Sequence, residues 1–295
     1  MCPICGEVTH NKVGKPKIGL KAAKFIRKDY NIVGCKSCGF YYVFPEIDLT
    51  PEEWEKLYEF GYFTPMTKWH TRQRNKDRKN RFDKLYYYAD GKIKNFLDVG
   101  CGEGFGLVEA TSRGWDAYGI DITDHRVEKA KDKKIIFKNT DLISANFPDH
   151  FFDCIYIDSV LEHVLNPRAY LKELYRIVKQ DGVIYIGVPN EDALYRIVLK
   201  LLYNITGRSK ESAKLKPFDE PFHIGGFNKK SLQLAINQSS FRIVKLNNFA
   251  SKTDILNFKF LSKGFIMEVF FLPIIWIAVL LKMEVYFEAY LRKWN

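Results

Sequence analysis

The sequence predicts an α/β protein: a seven-stranded mixed sheet with helices on both faces, preceded by a small cysteine-rich module. Three observations carry this expectation. From residue 95 onward, short apolar and β-branched runs alternate with helical stretches, an order that implies parallel pairing with helices on both faces. The first of those strands runs directly into a glycine-rich turn that opens a helix. Four of the six cysteines fall in two CxxC pairs ahead of residue 40. The 295 residues leave room for one full domain and a small accessory module, divided here as 1–48, 49–90 and 91–295.

The N-terminal module is built on Cys2-Pro-Ile-Cys5-Gly6 and Cys35-Lys-Ser-Cys38-Gly39. Two residues between cysteines let both sulfurs reach one ion, and the following glycine permits the turn that aims backbone amides at them. Two such knuckles supply the four sulfurs of a tetrahedral structural Zn2+ site, a zinc ribbon, whose intervening loop can hold a β-hairpin. A redox pair or unligated thiols is the alternative. Cys101 and Cys154 have no evident partner, which argues against a secreted disulfide protein. With no apolar signal core at the N-terminus, cytoplasmic residence is expected.

Thr50 and Pro51 read as N-cap and first position of a short helix over 51–60. A second helix covers 68–88 and carries eight Lys and Arg against two Asp, a run suited either to gripping phosphates or to lying as a solvated face. Strands follow at 95–99, 115–120, 135–137, 152–157, 183–188 and 241–247, with helices at 124–132, 167–179 and 229–239. The stretch 283–292 has apolar residues at every second position and reads as a seventh strand returning beside the sixth.

The turn after the first strand selects the ligand. Its run is Asp98-x-Gly100-x-Gly102-x-Gly104, and Phe105 stands where a dinucleotide fingerprint would place its third glycine. The register suits a loop passing under a cofactor without phosphates. Asp121, at the end of the next strand, can accept hydrogen bonds from both hydroxyls of a ribose.

These motifs resemble the class I S-adenosylmethionine-dependent methyltransferases, a Rossmann-like family, and most nearly its ubiquinone and small-molecule group, some of whose members carry a zinc ribbon. Leu97–Gly104 matches the family's first motif, Tyr118–Asp121 its second, Asn139–Leu142 its acidic motif, Phe152–His163 the fourth strand and its turn, and Asp181–Asn190 the fifth strand. The likeness covers roughly residues 80–250 well. It implies that Asp98 and the loop Gly100, Cys101, Gly102 and Gly104 hold the methionine end of S-adenosyl-L-methionine. Asp121 would take the ribose and Asp141 the adenine, with Ile122, Leu142 and Asp158 also in the cofactor-binding set.

Methyl transfer asks the protein for alignment and removal of the acceptor's proton. His163, beyond the fourth strand, and His223, in Pro221–Phe227, are the candidate bases. Ser159 stands where some ubiquinone O-methyltransferases have the first Glu of Glu-x-x-Glu-His, which argues against a catalytic metal. An Asn/Asp-Pro-Pro-Tyr/Phe element is missing after the fourth strand, which argues against methylation of exposed bases.

Two apolar segments, 192–227 and 264–282, read as lids. Phe265–Leu281 reaches only the lower length limit for a bilayer span, and the strand after it must return to the sheet, so it is expected to be interfacial, re-entrant or packed on the domain. The net charge of +11 calls for an anionic partner: nucleic acid, a phosphorylated substrate or an acidic membrane surface. The preferred expectation is O-methylation of a small-molecule, lipid-linked or glycan acceptor by a cytoplasmic protein, peripheral on the inner face of a membrane. The alternatives are an RNA methyltransferase gripping nucleic acid through ribbon and basic helix, and a cofactor-binding module without turnover.

Overall fold

The computed structural model describes residues 1–58, 68–249 and 262–294. The N-terminal module comprises β1 (His10–Gly14), α1 (Leu20–Ala23), β2 (Asn31–Cys35) and β3 (Tyr41–Phe44). β1 and β2 lie in the loop between the two CxxC pairs and form an antiparallel pair, and β3 adds to β2 in the same sense. Helix α2 (Pro51–Tyr58) opens on a reciprocal cap: Glu53 N donates to Thr50 Oγ1 at 3.3 Å, and Thr50 N donates to Glu53 Oε2 at 2.9 Å.

The main body follows as α3 (Lys68–Tyr88), β4 (Asn95–Val99), α4 (Phe105–Ser112), β5 (Asp116–Asp121), β6 (Ile136–Asn139), β7 (Phe152–Asp158), α5 (Pro167–Ile177), β8 (Val178–Pro189) and α6 (Leu194–Ile205). It closes with β9 (Gly225–Gly226), α7 (Lys229–Gln238), β10 (Phe241–Phe249), α8 (Lys263–Leu281) and β11 (Tyr286–Lys293). Seven strands form one sheet in the order β10-β11-β8-β7-β4-β5-β6. β11 runs antiparallel to both neighbours, whereas the pairs among β8, β7, β4, β5 and β6 are parallel. This is the α/β mixed sheet the strand pattern predicts, with the last strand inserted beside the fifth.

Side chains alternate across the sheet with period two. Leu97, Val99, Ile155, Ile157, Ile184 and Ile186 face one core together with α5 and α7. Phe96, Cys154, Tyr156, Val183 and Tyr185 face the other, against Phe82, Leu85 and Ala89 of the α3 end and Leu107 of α4. Burying each large apolar side chain contributes roughly 1.5–3 kcal/mol, so both faces are firmly held.

The N-terminal module shares the first of these cores: Cys2, Ile4, Val33 and Phe40 are continuous with Phe227 and Leu232. The two glycines of β9 pair antiparallel with Tyr41 and Tyr42 of β3, extending the ribbon's own sheet. Residues 212–228 thus run as a strap between ribbon and main body, with Asn228 Nδ2 donating to the Gly39 carbonyl at 3.2 Å.

The expected helix at 124–132 is replaced by a short 3-10 turn at Glu128–Lys131. Asp124 Oδ1 accepts from Arg126 N at 3.1 Å, and Val127 N donates to the Glu103 carbonyl at 3.0 Å, which ties the start of this segment to the glycine-rich turn. The fifth strand also begins earlier than its apolar run suggests, at Val178, where α5 ends.

Candidate active site

Open parallel sheets gather ligands beyond the carboxyl ends of their strands, and a cleft of about 780 Å³ lies at that edge. Its floor is the turn after β4. Gly100, Gly102 and Gly104 have φ of +66°, +52° and +76°, values in the left-handed region that glycine adopts without a Cβ clash. Gly102 N donates to Asp121 Oδ2 at 2.8 Å, tying the loop to the end of β5. Burial raises the Asp121 carboxyl, and the Gly102 and Thr123 amides work against that. Asp98 is fully enclosed, and burial holds its carboxyl well above the usual range, opposed by Arg78.

The structure brings Asp98, Gly100, Cys101, Gly102, Asp121, Ile122, Asp141, Leu142, Asp158 and His163 to this one cleft. Gly104 stands behind it as the N-cap of α4, beside Ala130 and Arg126. Asp141 commits one oxygen to its own turn, accepting from Ile143 N at 2.8 Å and Ser144 N at 3.1 Å. Burial pushes the Cys101 thiol far up, so it is not a nucleophile near neutral pH.

Asp158 closes the floor. Burial would raise its carboxyl, but Arg81 at 3.0 Å and phenol hydrogen bonds from Tyr156 (2.7 Å) and Tyr286 (2.6 Å) hold it below the usual range. Arg81 also pairs with Glu288 at 2.7 Å. Arg74 and Arg78 line the cleft as well, and Arg78 lies over the Phe105 ring at 5.1 Å. Three cations of the basic helix therefore face the protein. Sequence reasoning missed this, although Arg74, Arg78 and Arg81 share a face at i, i+4 and i+7, the stripe that continues into buried Phe82 and Leu85.

The open end of the cleft is lined by Trp54 and Tyr58 of α2 and by His163, Pro221 and Ile224. The Tyr58 hydroxyl meets His163 Nδ1 at 3.1 Å. The His163 and His223 rings pack edge to face, 4.9 Å between centroids. His223 Nε2 lies 3.8 Å from Glu162 Oε1. Among the described residues neither carboxyl oxygen of buried Glu162 has a hydrogen-bond partner, and burial raises its carboxyl well above the usual range. Burial lowers His163 to about 4, and burial next to His163 lowers His223 well below the ordinary value. Burial therefore works against charge on all three groups of the cluster.

Gly106, one turn into α4, sits against the Asp98 carboxyl: a Cβ there would lie 2.2 Å from Asp98 Oδ2 and 3.1 Å from its Cγ. Gly106→Ala should displace the carboxyl at the cleft floor, cost about 1–3 kcal/mol in stability and weaken cofactor binding. Calorimetry with S-adenosylhomocysteine and a thermal melt read both effects.

The four knuckle cysteines come together in the N-terminal module. Cys2 and Cys38 Sγ are 3.6 Å apart, Cys5 and Cys35 Sγ 3.4 Å, and all four sulfurs lie within 4.8 Å of one another. A tetrahedron with Zn–S bonds of about 2.3 Å has edges of about 3.8 Å, so this donor set fits a structural zinc ion.

Comparison with known proteins agrees with this architecture. A family model described as a methyltransferase domain matches residues 67–246. A ubiquinone biosynthesis O-methyltransferase of Neisseria meningitidis serogroup C is 30% identical over 122 residues, 38% of this chain and 51% of that protein. A demethylmenaquinone methyltransferase of Staphylococcus saprophyticus is 29% identical over 170 residues, 52% of this chain and 72% of its own. The chain thus spans about half the length of the Neisseria relative. In fold it is similar to the Burkholderia thailandensis 1,6-didemethyltoxoflavin-N1-methyltransferase, solved with 1,6-didemethyltoxoflavin and S-adenosylhomocysteine. That likeness has a TM-score of 0.53 at 13% identity, over 92% of this chain and 98% of the other.

Proposed function

Because the chain belongs to the methyltransferase domain family, we propose that it transfers the methyl group of S-adenosylmethionine to a small, uncharged acceptor of phenol or quinol type. The observation that carries this reading is the buried cluster of His163, His223 and Glu162, in which His163 lines the cleft and His223 and Glu162 stand behind it. Asp98, Gly102 and Arg78 would hold the amino-acid end of the cofactor, Asp121 and Ile122 its ribose, and Asp141 and Leu142 its adenine. When bound, the cofactor supplies an electrophilic methyl carbon on a sulfonium.

The protein's own work is positioning and proton removal. Trp54 and Tyr58 give a flat acceptor aromatic surfaces to pack on. The backbone carbonyl of Phe222 accepts from the His163 ring, which leaves Nδ1 as the accepting nitrogen toward the Tyr58 hydroxyl. An acceptor hydroxyl that took the place of the Tyr58 hydroxyl at Nδ1 would give its proton to His163 as its oxygen accepted the methyl group that the cofactor supplies. A ring held to about 4 is a weak base. It suits a phenol, with its reference pKa near about 10, better than the much less acidic hydroxyl of a sugar.

The names of the Neisseria and Staphylococcus relatives support a quinone-type acceptor. Grip on RNA is disfavoured because Arg74, Arg78 and Arg81 serve the cleft. The test is transfer of labelled methyl from S-adenosylmethionine into fractionated extract of the source organism. Label in the organic-soluble pool is expected. Label confined to RNA would overturn the acceptor class, and no label in any pool would remove the activity.

A further inference from the structure

Surface helices place their charges outward; α6 buries one, and α6 and α8 both turn apolar side chains outward. On α6, Arg196 is buried and paired with Glu191 at 2.8 Å, while Ile197, Leu201 and Ile205 are exposed at i, i+4 and i+8. On α8 the exposed stripe runs through Phe270, Trp276 and Leu280, the last two 71% and 83% exposed. The two helices pack on each other, so the stripes form one apolar surface. α6 carries no acidic residue, and Lys282, Arg208 and Lys210 are exposed at the ends of the two helices.

The helix pair is rooted where β8 ends and β11 begins, side by side in the sheet that holds the cleft. Leu194 N donates to the Met283 carbonyl at 3.0 Å and Asn190 N to the Val285 carbonyl at 2.8 Å. Tyr286, next along, donates to Asp158 in the cleft floor. Among the described residues no helix is long and apolar enough to cross a membrane. An apolar face with an exposed Trp, bordered by cations and lying beside the cleft, has the chemistry of the headgroup boundary of an anionic bilayer.

We propose that the outward faces of α6 and α8 form an interfacial docking surface for a bilayer containing anionic lipid, setting the mouth of the cleft at membrane level. The inference rests on the methyl-transfer reading for its purpose, delivery of a lipid-dissolved acceptor, and is tested without turnover. The full chain is floated through a density gradient with vesicles of phosphatidylcholine alone or of equal parts phosphatidylcholine and phosphatidylglycerol. The double variant Trp276→Glu, Leu280→Glu runs beside it, with circular dichroism and S-adenosylhomocysteine binding confirming that it folds.

The expected result is flotation with the anionic vesicles, weakened by salt and at least about tenfold weaker for the variant, since two inserted apolar side chains are replaced by anions. Wild-type protein left at the bottom with both vesicle types overturns the proposal. So does a dimer in sedimentation equilibrium that the variant splits, because a second copy then covers the face. A chain that floats but transfers no methyl group removes the activity and leaves the surface. A chain that transfers but never floats does the reverse.

Discussion

His163→Gln should lower turnover by about two to four orders of magnitude, the usual contribution of a positioned general base, while cofactor binding stays within about twofold. Gln keeps a hydrogen-bonding group for Tyr58 and the Phe222 carbonyl but cannot take a proton, so the variant separates proton removal from packing. His163 touches the open end of the cleft, whereas Asp98 and Asp121 lie at its floor, which is why the two readouts should part. The pH dependence adds a second check. The His163 ring is held to about 4 by burial, so the acid limb of kcat/KM should fall well below pH 6 rather than near the ordinary histidine value of about 6.5, and the limb should vanish in the variant.

The same shift has a consequence for stability. A histidine lowered on folding binds protons more readily when unfolded, so between about pH 4 and 6.5 stability rises with pH and is fully present above that window. The raised Glu162 acts in the opposite sense, stabilising the fold at low pH and losing that contribution as pH climbs from its unfolded value through its folded one. A wild-type kcat/KM that does not fall as pH drops through about 4, or equal turnover in the variant, would remove His163 from the chemistry.

The sheet was legible because its strands are buried on both faces and read as short apolar runs, and because β11 keeps a period of two. The cofactor loop was legible because a left-handed turn demands glycine at fixed spacing. What escaped was long-range. Tyr58 meets His163 across 105 positions of sequence, and β9 joins the ribbon through two glycines with no strand signature of their own. The inward turn of Arg74, Arg78 and Arg81 was hidden because cations are read as solvated until an acidic partner is known. Asp158 and Glu288, the partners of Arg81, lie in other elements. The apolar stripes of α6 and α8 were visible in sequence, but that they face outward depends on the buried Arg196–Glu191 pair, a tertiary fact. Residues 250–261, next to the second lid, lie outside the described residues.

Replacing Cys38 by Ser should release zinc and abolish turnover while leaving cofactor binding largely in place. Four thiolates close a structural site, and apparent zinc-binding free energies of about 10–16 kcal/mol in zinc-finger peptides exceed what so small a module gains from its own core. Its loss therefore unfolds the ribbon. The damage then follows the contacts. β3 no longer offers an edge to β9, whose neighbour Ile224 donates its amide to the Glu162 carbonyl, so the strap carrying His223 comes loose from the open end of the cleft. The floor has other supports: Asp98 and Asp121 are held by β4, β5 and the glycine loop, which belong to a different sheet from β3. Metal analysis, calorimetry with S-adenosylhomocysteine and a turnover assay would read the three effects separately, and a chelator on the wild type should reproduce them. Cys154→Ser is the control, since that thiol is buried in the opposite core and should leave zinc content unchanged. Full zinc retention in Cys38→Ser, or a wild type that carries no metal and ignores chelator, would mean the four sulfurs meet for another reason. Turnover that survives loss of the metal would show instead that the strap holds its place without the ribbon, and that β9 leans on the main body alone.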